Sequence, residues 1–247
     1  MTRWRLTVEY DGTPFVGWQR QDQGPTVQQT LEEALERMTG QRSACTAAGR
    51  TDTGVHALAL PVHVDIARDI TPHRLREGLN ALVRPHPVSV IEATIVAGDW
   101  HARFSCTGRR YRYRMLNRHA PPALDRNRVW HIAAPLDVEA MRQAARHLLG
   151  RHDFTTFRSV HCQSANPVKT LDRLDVEPAA DGEIHVHAES RSFLHHQVRS
   201  MAGCLAMVGR GQWSPDDMAA ALAARDRSAL GFNAPPNGLY FVGASYP

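Results

Sequence analysis

A chain of 247 residues with 43% hydrophobic content is long enough to bury a sizeable core, as one large domain or two smaller ones. Its formal charge of +4 suits an anionic partner without demanding one, no apolar run is long enough to span a bilayer, and the charged opening MTRWRLTVEYDG lacks the apolar stretch of a signal peptide. Cys45, Cys106, Cys162 and Cys204 form no CxxC pair, and the 14 histidines form no HExxH motif. These features imply a cytoplasmic protein with reduced thiols, no metal centre and no membrane partner.

In chain order, RWRLTVEY at 3–10 alternates as a strand and DGTPFVGW breaks it with glycine and proline. PTVQQTLEEALERMTG follows as a helix: Thr26 and Gln29 have capping-box spacing, Val27, Leu31, Leu35 and Met38 share one face, and Gly40 can end it. Leu60, Val62, Val64 and Ile66 alternate as a half-buried strand. A helix over 71–81 and a strand over 88–96 complete a β-α-β-α-β order. The remainder repeats the outline. It has a strand at 102–117, a helix at 137–149 between Asp137 and Gly150, strands near 169–177 and 183–190, and two more helices. The second of these begins SPDDM, with Ser214 as cap and Pro215 at the first helical position, and the chain closes on the strand GLYFVGASY. The pattern is α+β, with one half at 1–103 and another at 104–247 packed about a cleft.

Two stretches carry chemistry. GRTDTGVHA at 49–57 places Asp52 in a loop at the mouth of a sheet, with Arg50 two residues before it and Gly54 two after. An aspartate there is most often a turn-former, but a nearby cation can keep it ionised, and an ionised, positioned carboxylate is a nucleophile or base. In TGRRYRYRML, alternation sends Arg110, Arg112 and Arg114 to one face of a strand and Tyr111 and Tyr113 to the other. That strand can offer phosphate ligands and stacking surfaces, or be a sheet strand with core tyrosines and solvated arginines. Of the 29 basic residues only Lys169 is a lysine. Arginine favours bidentate phosphate contacts, although a GC-rich genome produces the same bias.

GRTDTGVHA, EYDGTPFVGWQRQ at 9–21, WHARFS at 100–105, RRYRY at 109–113, DFTTFR at 153–158, FLHHQVR at 193–199 and GLYFVGASYP at 238–247 together resemble the tRNA pseudouridine synthase A (TruA) family. The resemblance runs nearly the whole length of the chain in the family's order. It implies the pseudouridine synthase fold, two similar α/β halves with antiparallel and mixed sheets meeting at a central cleft. It also implies an isomerase that detaches uracil, rotates it and rejoins it through C5, without cofactor or metal, at positions 38–40 of the tRNA anticodon stem-loop. By the same resemblance, Asp52 is the essential aspartate, Arg50 helps the target nucleotide leave its stack, and Tyr111 stacks on the flipped uracil while Tyr113 packs. Arg199 matches the arginine that pairs with the catalytic aspartate from the other half, and Leu239 an apolar pocket residue. The partners implied are tRNA and a second copy in a homodimer, with shape and phosphate contacts dominating recognition.

Thr53 stands where relatives often have alanine and Gln197 where many have methionine, and neither change touches a catalytic position. Two other classes stand beside this reading. A non-catalytic RNA-binding or chaperone protein would need the arginines but not Asp52. A hydrolase with an aspartate nucleophile usually needs an acidic cluster for Mg²⁺, which the sequence around Asp52 does not offer.

Overall fold

In a computed structural model that describes residues 1–247, the alternation at the chain start becomes β1 (Thr2–Tyr10), which buries Trp4, Leu6, Val8 and Tyr10 on one face. The chain clusters into two compact units, Met1–Arg109 with Tyr240–Pro247, and Arg110–Leu239.

In the first unit β1 lies antiparallel between β3 (His56–Ile66) and β4 (Val88–Ile95), with Leu6 opposite both Val62 and Ala93. The two-residue β2 (Thr46–Ala47) also pairs with β3. The closing strand β11 (Leu239–Ser245) joins β3 in parallel, with Tyr240 opposite His56. The sequence division at 103/104 gave this strand to the second half. Its return to β3 is a long-range pairing that local patterning does not encode. Helix α1 (Val27–Thr39) buries Val27, Thr30, Leu31, Ala34 and Leu35, the stripe expected of a 3.6-residue period. Only half of the expected capping box forms: Thr26 Oγ1 accepts from Gln29 N–H at 3.2 Å, while the Gln29 side chain turns to Glu33 at 2.7 Å. Helix α2 (Pro72–Leu82) begins under a Thr71 cap and packs on β4 and α1.

Strand β3 is buried on both faces around Pro61–Val64, where alternation implied a half-buried strand. The extra cover comes from WHARFS, expected to start a strand that in fact begins only at Gly108. Residues 101–105 form a turn instead. His101 Nδ1 accepts from the N–H groups of Arg103 (3.1 Å) and Phe104 (3.2 Å), Ser105 N–H bonds the His101 carbonyl at 2.9 Å, and Ala102 N–H donates to Nδ1 of buried His63 at 3.2 Å. These donors are thereby withdrawn from any ladder.

Burial, with the nearby His101 and Arg3, pushes His63 down to about 4 despite the opposing Asp65, and burial and Arg3 also lower His101. A histidine whose native pKa lies below its unfolded value of about 6.5 contributes stability that is complete above that value and is lost as pH falls toward the native one. The His63 contribution is therefore expected to be lost between about pH 6.5 and 4, by at most about 1.4 kcal/mol per pH unit. His63→Asn places its Oδ1 near the position of Nδ1 as an acceptor for Ala102 N–H without titrating, so its urea midpoint should fall less over that window. Equal slopes for the two proteins would refute the assignment.

The second unit is built on β5 (Gly108–Asn117), whose first two residues belong to the first unit, with β10 (Glu183–Ser190) beside it and β9 (Arg173–Pro178) antiparallel to β10. The short β6 (Trp130–Ile132) runs parallel to β5. Leu174, Val176, Ile184, Val186 and Ala188 are buried on one face, and α3 (Val138–Arg146) packs on β9. The opposite face carries Arg173, Asp175, Glu177, His185, His187 and Glu189, with Arg173 paired to Asp175, Glu177 and Glu189. The strand expected over 169–177 is two: β8 (Val168–Leu171) leaves to pair with β7 (Gly150–Asp153), and β9 stays in the main sheet. Both pieces alternate, so periodicity cannot tell their partners apart. Helix α4 (Gln197–Gly209) is buried almost all round, and α5 (Pro215–Ala224) starts under a full capping box between Ser214 and Asp217. No helix is long and apolar enough to cross a membrane.

Candidate active site

In the first unit Asp52 is half-buried on the loop between β2 and β3. That loop is fixed against residues 15–18 of the FVGW segment: Trp18 N–H bonds the Thr51 carbonyl (3.0 Å), Gly54 N–H bonds that of Phe15 (3.3 Å), and Thr53 Oγ1 donates to that of Val16 (3.0 Å). Within the loop Val55 N–H returns to the Asp52 carbonyl at 3.1 Å. The FVGW segment is itself tied to the start of α1 through Val27 N–H to Gly17 (3.3 Å) and Gln28 N–H to Trp18 (3.0 Å). Two motifs well separated in sequence are thus one piece of structure. Gly17 is required at their contact, because its φ is +117° and a Cβ there would meet the Thr51 carbonyl at 2.8 Å. Below the loop, Tyr10 and Thr51 hydroxyls bond at 2.7 Å, Gly12 N–H donates to His56 Nδ1 at 3.0 Å, and the His56 ring stacks on Tyr240 at 4.7 Å. A carboxylate on so constrained a backbone is aimed without further ordering when a substrate arrives.

Arg50 is exposed. Arg109, which the sequence reading did not single out, clamps the other end of the loop: Nε and Nη2 donate to the Ala48 carbonyl at 2.9 and 2.7 Å, and Nη2 also bonds that of Arg103 at 3.0 Å. The signal was present in RRYRY. Arg109 has the parity of the tyrosines, so it points away from the face of Arg110, Arg112 and Arg114.

In the second unit the two tyrosines of β5 have different fates. Tyr113 is fully buried and its hydroxyl donates to the Pro235 carbonyl at 2.7 Å; burial pushes its pKa well up, offset in part by Arg199, so it stays protonated. Tyr111 is half-buried, with the Phe193 ring edge-on at 5.2 Å. Arg199, in the first turn of α4, donates from Nε to the Ala234 carbonyl at 2.9 Å, and its own carbonyl accepts from Ala234 N–H at 3.1 Å. Leu239 is buried at the start of β11. Tyr113→Phe should lower stability by about 1–3 kcal/mol by orphaning the Pro235 carbonyl. Urea denaturation measures the loss, and an unchanged midpoint would show that this bond does not hold the strand.

The arginines of β5 also differ from one another. Arg114 grips Glu183 with two nitrogens, holding that carboxyl below its usual range, and Asp125 lies 4.0 Å away. Its charge is largely compensated where it stands. Arg110 and Arg112 are half-buried on the same face.

The family model described as tRNA pseudouridine synthase matches residues 6–105 and 144–247, so Tyr111 and its arginines fall between the matched stretches. A protein of Rhizorhabdus wittichii named tRNA pseudouridine synthase A is 62% identical over 247 residues, covering 100% of this chain and 97% of its own. Proteins of the same name from Zymomonas mobilis and Erythrobacter litoralis are each 59% identical, with 100% of both chains covered. A chain from a Cbf5-Nop10-Gar1 complex aligns with 96% of this chain and about half of its own length (48%), at a TM-score of 0.40 and 10% identity, an overlap on which nothing here rests. The match of the family model over most of the chain, with relatives about 60% identical over its whole length, places the chain in the tRNA pseudouridine synthase family, a family of isomerases.

Proposed function

We propose that this protein converts uridine to pseudouridine at positions 38–40 in the anticodon stem-loop of tRNAs, using Asp52 and neither cofactor nor metal, as a cytoplasmic homodimer. The observation that carries the reading is Asp52 itself: a half-buried carboxylate on a loop bonded to the FVGW segment at three points, in a chain 62% identical to a protein named tRNA pseudouridine synthase A. The reaction breaks the bond from ribose C1′ to uracil N1, forms one to C5, and exchanges the C5 hydrogen for one on N1. Uracil must be retained between the two events. A half-exposed tyrosine ring at Tyr111 supplies a stacking surface, and Leu239 an apolar contact that excludes water. The exposed Arg50 is suited to fill the place of a nucleotide drawn out of its stack, a step that costs a few kcal/mol. Arg199 supplies a fixed guanidinium charge. Arg110, Arg112 and Arg114, on one face of β5, are the candidates to meet phosphates, and Glu183 already engages the charge of Arg114.

The test is release of tritium from tRNA transcript labelled at uracil C5, in excess chelator. Stoichiometric release supports the reading. Tight tRNA binding with no release would favour a non-catalytic RNA-binding protein, and release abolished by chelator would contradict metal-free chemistry.

A further inference from the structure

The turn 101–105 carries more than the cover it gives β3. At its apex Phe104 is 74% exposed, with the Arg103 guanidinium 5.7 Å from its ring centroid and the His101 ring 4.3 Å away. A single exposed aromatic is ordinary on a loose surface loop. This one stands on a backbone that is almost completely bonded. To the bonds that shape the turn are added His101 N–H to Ser105 Oγ (3.0 Å), Tyr246 Oη to the Ala102 carbonyl (2.7 Å), and Arg109 Nη2 to the Arg103 carbonyl (3.0 Å). The same Arg109 nitrogen holds the Ala48 carbonyl, four residues before Asp52. Phe104 is therefore presented rigidly beside the strand that leads into the Asp52 loop, with Arg103 against its ring and Arg109 bonded to the turn. A rigid ring needs no further ordering to bind, and cations around it favour a polyanion over an apolar protein surface.

We infer that Phe104 is a stacking platform for an unpaired nucleobase of the RNA substrate, and that Arg109 positions this platform and the Asp52 loop as one unit. The inference rests on the proposed tRNA substrate and concerns a contact additional to the uracil pocket. Every base offers a π-face, so the platform adds affinity without reading sequence. Arg103, beside the ring, is placed to meet the phosphate next to the stacked base.

The experiment measures binding of unmodified tRNA transcript to the Asp52→Asn protein, which prevents turnover, and to its Phe104→Ala and Phe104→Tyr derivatives over a range of salt, with wild type alongside as a binding control. Phe104→Ala is expected to weaken binding about 5- to 150-fold with an unchanged salt slope, because a ring and not a charge is lost, and Phe104→Tyr should stay within about twofold. Phe104 is at the surface, and an unaltered melting temperature establishes that the variants fold. Affinity of Phe104→Ala within about twofold of the parent would overturn the inference, as would equal loss in both variants. If Phe104→Ala instead splits a dimer in sedimentation and the affinity loss follows the dissociation, the ring is an interface between copies and the inference is likewise wrong. Because the readout is binding, it stands apart from the functional proposal: wild type that binds tRNA but releases no tritium defeats the latter alone, and wild type that binds no tRNA defeats both.

Discussion

Asp52→Asn is expected to abolish pseudouridine formation, lowering the single-turnover rate by at least about three orders of magnitude, while stability and tRNA affinity change by no more than a few fold. The amide has the volume of the carboxylate, and the loop is held through backbone groups of Thr51, Gly54 and Val55 and the Thr53 hydroxyl, not through the Asp52 side chain alone. The substitution therefore removes charge and basicity from an otherwise intact frame. Rapid-quench analysis with enzyme in excess over tRNA reads the chemical step directly. A variant that keeps a tenth of the parent rate would show that the reaction does not pass through this carboxylate.

The next largest effect is expected at Arg199. Its Nε bond to the Ala234 carbonyl orients the guanidinium, and the bond from Ala234 N–H to the Arg199 carbonyl fixes the backbone that carries it at the start of α4. Arg199→Ala should slow the chemical step by roughly two to three orders of magnitude with tRNA still bound, as removal of a preorganised charge does elsewhere. Arg199→Lys should recover little, since one ammonium cannot bond Ala234 and reproduce the planar fork. Near-normal rates in Arg199→Ala across pH would move attention to Arg50 as the cation that serves the chemistry.

What could be read from the sequence follows the range of the interactions. The Thr26, Asp137 and Ser214 caps are local, and the structure forms all three. The stripe of α1 and the alternation of β1 and β10 were equally plain, because periodicity reports burial within one element. Pairing between distant strands was not legible. Nothing in GLYFVGASY says that it returns to His56, and nothing in 168–178 says that the chain changes sheets near Asp172.

The site divides in the same way. Asp52 was found as a carboxylate bounded by glycines, but its fixation by the FVGW segment depends on Gly17 meeting Thr51, a contact across 34 positions of sequence. Alternation separated tyrosines from arginines on β5. It could not say that Tyr113 would be sealed against Pro235 or that Arg114 would be gripped by Glu183. Those partners are contributed by other elements. Arg109 was overlooked because its neighbours share its chemistry, and only its parity separates it from them.

The most direct test of the account is to incubate the protein with an unmodified tRNA transcript bearing uridines at 38–40, in excess chelator, and to locate pseudouridine by chemical mapping and mass spectrometry. The account predicts conversion confined to those positions with wild type and none with Asp52→Asn. Conversion elsewhere in the tRNA, or the same pattern from both proteins, would contradict it.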